Sequence, residues 1–386
     1  MGKGMNKYKN VLITGGAGFI GSNLAIKLVK QGVNVTVIDN LSKQIHGENP
    51  EINSPLYNSI KDAVKFIHAD VCNKEKLAEA IVGQDAIFHL AAETGTGQSM
   101  YEIGRYFEVN VQATANLLDI LANTEHQVKK ILMASSRSIY GEGKYTTHDG
   151  RIVYPSFRLD EDMLAGNFEL LEQPNKQPLL LVATDEESKI HPISVYGMTK
   201  QYQEEMFMEI APTIGIIPVA LRYQNVYGAG QSLSNPYTGI LAVFSTRALN
   251  GNDIEIFEDG LESRDFVYID DVVEATIAAM FNDNGNNQVF NVGTGIAIPV
   301  KYIAEKLIEF YNADVGIKIT GRYRVGDIRH NYADISKINK YLGFKPNINF
   351  DTGLANFAGW VKTQRIQKDN FEKSITELKA KGLFKG

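Results

Sequence analysis

Tyr196 and Lys200, in Ser194-Val195-Tyr196-Gly197-Met198-Thr199-Lys200, stand four residues apart. On a helix that spacing puts both side chains on one face. An ammonium beside a phenol favours the phenolate, because a nearby opposite charge lowers an acid's pKa. A tyrosine, ordinarily near pKa ~10, becomes by this means a usable general base near neutral pH. Such a spacing also arises by chance on exposed helix turns. Its weight comes from a second pattern near the N-terminus, Gly15-Gly16-Ala17-Gly18-Phe19-Ile20-Gly21.

Val11-Leu12-Ile13 reads as a buried strand, Thr14 leads into the glycines, and an amphipathic segment follows from Ser22 to Lys30. Strand, glycine turn and helix form a dinucleotide-binding opening. Gly15, Gly18 and Gly21 let backbone N–H groups approach a pyrophosphate whose charge the helix N-terminus favours. Val33 to Ile38 reads as the next strand, ending at Asp39. That carboxylate lies about 20 residues past the turn, where it takes the adenosine ribose hydroxyls. It repels a 2′-phosphate, so NAD is the expected cofactor rather than NADP.

Composition narrows the class. The chain has 386 residues, 44% of them apolar, enough for a large core in one bilobal enzyme or two packed domains. A net charge of −6 without a basic run argues against nucleic acid. Cys72 is the single cysteine and the seven histidines are scattered, so neither an intrachain disulfide nor a metal site is expected. No apolar stretch approaches membrane-spanning length, and Met1 to Asn10 lacks the apolar core of a signal peptide. These features together point to a cytoplasmic protein.

Strand-like runs recur at 11–13, 33–38, 64–67, 86–90, 130–134 and 219–222, with helix-length segments such as 74–82 and 108–123 between them. Alternation of this kind predicts an α/β fold, a doubly wound parallel (Rossmann) sheet. Residues 1–222 are expected to bind the cofactor. Residues 142–192, with Pro155, Pro174 and Pro178, acidic clusters and a strand at Leu179 to Val182, interrupt them as an insertion. Its position beside Tyr196 suits a substrate-side lid, and its composition equally suits a surface excursion. Residues 223–386 are expected to form mainly a smaller substrate-binding α/β lobe. The tail from Gln367 to Gly386 reads as a closing helix or a frayed end.

Lys130 to Ala134 is a strand running into Ser135-Ser136-Arg137-Ser138-Ile139-Tyr140-Gly141. Ligands of doubly wound sheets lie beyond the carboxyl ends of strands, so a serine here can hold a substrate hydroxyl and relay its proton to Tyr196.

Taken with Asp70-Val71, His89-Leu90-Ala91-Ala92, Asn110, Leu221 to Gly228 and Ser263 to Tyr268, these motifs make the chain resemble the NAD-dependent epimerase/dehydratase family. This is a branch of the extended short-chain dehydrogenases/reductases that acts on nucleotide-diphosphate sugars. The resemblance implies Ser136, Tyr196 and Lys200 as catalytic. It implies Phe19, Ile20, Asn40, Asp70, Val71, Leu90, Ala91, Ala92, Asn110 and Tyr223, with Tyr196 and Lys200, as further cofactor contacts. Asn225, Arg264 and Arg329 match positions holding the substrate's nucleotide and diphosphate, and an arginine fork suits such oxygens. Thr94 and Arg137 are expected to face the sugar. Family members commonly form homodimers, here through 108–123 and the Tyr196 helix, with Met206, Phe207 and Met208 as candidates for a partner-facing surface.

The resemblance also implies the reaction. Tyr196 takes a sugar hydroxyl proton while NAD+ takes the geminal hydride, giving a keto sugar. Family dehydratases follow the active-site hydroxyl with an Asp-Glu pair; here Arg137 and Ser138 stand there, which disfavours loss of water. A 4-epimerase needs no further acid or base. His89 to Met100, Gly230 to Leu241 and the insertion are similar to the dTDP-L-rhamnose 4-epimerase branch, except that the cysteines some relatives carry in the insertion are missing from Glu172-Gln173-Pro174-Asn175-Lys176. A UDP-glucuronate or UDP-hexose epimerase/decarboxylase of the same family remains the alternative, ahead of a 4,6-dehydratase or a non-catalytic NAD-sensing module.

Overall fold

In the computed structural model, residues 7–237 and 239–386 are described. Residues 1–6, part of the segment screened for a leader, and Thr238, within the Gly230 to Leu241 motif, lie outside the described residues.

The short apolar runs become seven parallel strands: β1 (Asn10–Thr14), β2 (Asn34–Asp39), β3 (Lys65–His68), β4 (Ala86–His89), β5 (Lys130–Ser136), β6 (Ile217–Tyr223) and β7 (Gln288–Val292). Their spatial order is β7-β6-β5-β4-β1-β2-β3, reversing at β1. Strand residues alternate between faces, and the burial follows. Val11, Ile13, Val37 and Phe88 share one core with Leu24 and Leu28 of α1 (Phe19–Lys30). Leu12, Ile38, Ile87 and Met133 share the other with Leu117 of α2 (Ala113–Asn123) and Phe207 of α3 (Val195–Thr213). Apolar residues on both faces are what a parallel sheet covered on both sides requires.

The β7 strand was not anticipated. Its five residues lie in the stretch assigned mainly to the substrate lobe, yet they pair with β6, Val219 to Gln288 through Tyr223 to Val292. Crossing back extends the sheet by one strand.

The expected helix at 108–123 also differs. It opens as a π-helical segment, Phe107–Gln112, and becomes α-helical only at Ala113. Wider π turns occur mostly at functional sites, and this one carries Asn110.

A second sheet joins Asn225–Tyr227, Ser263–Tyr268, Ala297–Pro299 and His330–Asn331. The insertion folds into small antiparallel sheets and a short helix, Asp160–Leu164. It is tied down by charge: Arg158 pairs with Glu258 at 2.8 Å and Glu142 at 3.4 Å, and donates to Asp327 O at 2.9 Å. The tail forms α4 (Phe371–Ala380), with Phe371, Ile375 and Leu378 buried. Among the described residues no helix is long and apolar enough to cross a membrane.

Candidate active site

The carboxyl ends of β1, β2, β4, β5 and β6 open into a cavity of about 580 Å³. Every residue named from sequence as a cofactor or substrate contact lines it, apart from Asn110 and Arg329.

The cofactor end is built by the glycine turn. Gly15 has φ +68°, and a Cβ there would stand 2.8 Å from the Ala91 backbone; a Cβ on Gly21 would stand 2.4 Å from Gly15 O. Only hydrogen fits at either place. Gly18 caps α1 without a side-chain bond, so the N–H groups of Phe19 and Ile20 stay free for an anion. Asp39 Oδ2 accepts the Ala17 N–H at 2.9 Å and Oδ1 accepts Leu41 N–H at 2.9 Å. One carboxylate thus knots the turn to the end of β2 while its remaining lone pairs face the cavity. Asn40 donates to Asp70 at 2.8 Å, closing the adenine side. These residues fit an NAD pyrophosphate and ribose.

At the reacting end, β5 delivers Ser136 and α3 delivers Tyr196 and Lys200. Ser194 caps α3 by accepting the Gly197 N–H at 3.1 Å, and Ser99 Oγ accepts the Tyr196 N–H at 3.0 Å. Ser136 Oγ accepts the Ser138 N–H at 3.1 Å and lines the same cavity as Tyr196, whose pKa it helps to hold down. Ser135, the residue before it, is buried with a hydroxyl that has no partner.

The expected route to an acidic phenol needs correcting. Burial raises the Tyr196 pKa above its ordinary value, and the groups that pull it down are Ser136 and Arg137. Lys200 shares the helix face but reaches back to donate from Nζ to Ala134 O at 2.8 Å, and burial lowers it to about 7. A shared face does not by itself bring two charges together, because a long lysine stem can choose a nearer carbonyl.

Asn110 is placed below the cavity rather than on its wall. Its Oδ1 accepts Glu93 N–H at 2.8 Å, while Nδ2 donates to Glu93 O at 3.1 Å and Thr199 Oγ1 at 2.9 Å. It ties the loop after β4 to α3 instead of reaching a cofactor.

Arg329 departs furthest from expectation. It is fully buried and bonded to Glu169, Glu258 and Asp259, with Nη1 to Asp259 at 2.7 Å and to Glu258 at 3.0 Å. Its fork is used up by carboxylates. Arg264 keeps the cavity position, with Nη1 donating to Ser263 O and Arg329 O at 2.8 Å and Nη2 to Ile328 O at 2.6 Å.

Phe371, Ser374, Ile375 and Leu378 of α4 also line the cavity. Glu377 beside them accepts from Tyr101 at 3.3 Å and from Tyr237. Nothing in their types marks a site; the signal was Phe371, Ile375 and Leu378 recurring at helical spacing in the tail. Gln224 was missed as well. It lines the cavity, and neither its amide nitrogen nor its oxygen has a partner.

The NAD dependent epimerase/dehydratase family matches residues 11–158 and 171–293. The chain is 35% identical to a dTDP-L-rhamnose 4-epimerase from Burkholderia thailandensis over 94% of its length and 97% of the relative's. A UDP-glucose 4-epimerase from Thermotoga maritima, solved with UDP-glucose, superposes with a TM-score of 0.74 at 29% identity, covering 92% of this chain and 98% of that one. A UDP-glucuronic acid 4-epimerase from Bacillus cereus, solved with UDP-glucuronic acid and NAD, gives 0.72 at 26% identity, covering 92% and 99%. Glycine turn, serine, tyrosine and lysine converge on one cleft in a chain matched along most of its length, and the protein belongs to the NAD-dependent epimerase/dehydratase family of enzymes, with NAD as its cofactor.

Proposed function

We propose that the protein is a nucleotide-sugar 4-epimerase of the dTDP-L-rhamnose/dTDP-6-deoxy-L-talose type. Residues 1–222 bind mainly NAD, and residues 223–386 bind mainly the nucleotide. One observation carries the reading: Ser136 and Tyr196 line the same cavity, and the two residues after Ser136 are Arg137 and Ser138, not an acid and a base. The site is equipped to oxidise and reduce at one carbon and to do nothing more.

In this mechanism Ser136 and Tyr196 hold the sugar's 4-hydroxyl, and Tyr196 takes its proton at Oη. The chemistry NAD supplies when bound is reversible hydride acceptance at the carbon bearing that hydroxyl. Ser136 and Arg137 favour the ionised form of the phenol, while Lys200 holds Ala134 O on the strand behind it. The 4-keto sugar stays tethered by its diphosphate while the ring turns. Tyr196 then returns the proton to the oxygen, now on a carbon of opposite configuration.

A proton-NMR assay with dTDP-L-rhamnose and no added cofactor is expected to show conversion to the C4 epimer. Stoichiometric NADH release, or turnover confined to UDP-glucuronate with loss of CO2, overturns the reading.

The enzyme works as a homodimer in this proposal. Met198 (39% exposed), Tyr202 (46%) and Ile210 (44%) form an apolar stripe along α3. Phe207, a candidate from sequence, is instead fully buried against the sheet. Tyr202→Glu with Ile210→Glu is expected to give a monomer by light scattering; an unchanged mass argues against this interface. The free thiol of Cys72 suits a reducing, cytoplasmic setting.

A further inference from the structure

Arg137 begins the short turn that follows Ser136 and lines the cavity. Among the described residues it makes no hydrogen bond and no ion pair. The acids that act on it are already engaged: Asp327 by Arg324 at 2.8 Å and Glu142 by Arg158 at 3.4 Å. Arg264, on the same cavity, donates only to neutral carbonyls among the described residues, with Asp327 and Glu262 near enough to favour its charge but not bonded to it. Burial and, next, the Arg264 charge bring Arg137 down to about 9, against Asp327, Glu142 and Tyr196, which favour its charge. Two guanidinium groups without a bonded anion on one cavity suit a phosphate pair, whose oxygens accept bidentate bonds.

We infer that Arg137 takes over the role the family pattern assigns to Arg329, gripping the substrate's diphosphate together with Arg264. The inference rests on the nucleotide-sugar reading above. Arg137 is assigned to the phosphate because it lines the same cavity as Arg264, the arginine that matches the diphosphate position, and among the described residues neither is held in an ion pair. Gln224, one residue beyond the paired Tyr223 and Ser136, supplies an unpartnered amide on the same wall. Arg329 acts instead as the cation that neutralises Glu169, Glu258 and Asp259 and so holds the insertion to the substrate side.

The test is calorimetric titration of the NAD-bound enzyme with dTDP and UDP, with thermal melting alongside. Arg137→Met is expected to weaken dTDP binding roughly 10- to 100-fold, as for loss of a charge-assisted bidentate contact, with an unchanged or higher Tm. Arg137→Lys recovers part of the affinity. Arg329→Met is expected to lower Tm and leave dTDP affinity within about threefold; if it does not fold, Arg329→Lys, which keeps a cation in the cage, carries that arm. Wild-type dTDP affinity in Arg137→Met overturns the inference. So does a loss seen for UDP-glucuronate but not for UDP-glucose or dTDP, which would assign the guanidinium to a sugar carboxylate. A wild-type enzyme that binds no nucleoside diphosphate brings down the functional reading itself, a result distinct from either.

Discussion

The main-chain oxygen of Arg329 accepts Nη1 of Arg264 at 2.8 Å, while the Arg329 side chain points away into carboxylates. The segment therefore serves the cavity through its backbone, which aims the neighbouring arginine. Its own guanidinium serves the fold.

Arg158 makes the same point for the insertion. Its side chain is 5% exposed and joins Glu142, Glu258, Phe168 O and Asp327 O. Removing one partner of a buried charge cluster leaves the others uncompensated, at about 3 kcal/mol or more. Arg158→Met is expected to lose about that much in urea unfolding. A loss below about 1 kcal/mol would show that the insertion is not held by this residue.

Tyr196→Phe is expected to lower turnover at least ~100-fold, the usual worth of a general base, with NAD still bound. Ser136→Ala, which removes a hydroxyl that favours the phenolate, should lower kcat more than it raises KM. Undiminished turnover in Tyr196→Phe, measured by NMR, contradicts the assigned base.

Stability should depend on pH through Glu142. Burial raises its carboxyl to about 7 from an ordinary 4.5. Between those values the folded protein keeps a proton that the unfolded chain has released, so this group's contribution falls as pH climbs through the window. Glu142→Gln keeps an acceptor for the Arg329 N–H, which the acid bonds at 2.7 Å, and removes the titration. Its Tm profile is expected to fall less steeply from pH 4.5 to 7 than the wild type's. Parallel profiles would place the titration elsewhere.

Asp39→Ala should weaken NAD binding roughly 10- to 100-fold by removing two accepted N–H bonds and the ribose acceptor. Discrimination against NADP should fall with it. Equal NAD affinity in the variant, by titration after removal of bound cofactor, refutes the placement of the ribose at Asp39.

Much of this protein is local chemistry, and local chemistry is readable from sequence. Six strands of the main sheet lie within a few residues of the apolar runs, because period-two patterning and glycine turns act over short stretches of chain. Gly15 and Gly21 are glycine because neighbouring backbone leaves no room, and Asp39 ends β2 where a ribose acceptor belongs. What sequence left undecided were choices among distant partners. Arg329 has Glu169 for company only because the insertion folds back onto it. Lys200 prefers Ala134 O to the phenol on its own helix. The apolar residues of β7 are interrupted by Asn291, and nothing local to them reveals that they return to the first sheet beside β6. A motif specifies which side chain arrives at a place; which neighbour neutralises it depends on segments far away in the chain, and only tertiary packing brings those together.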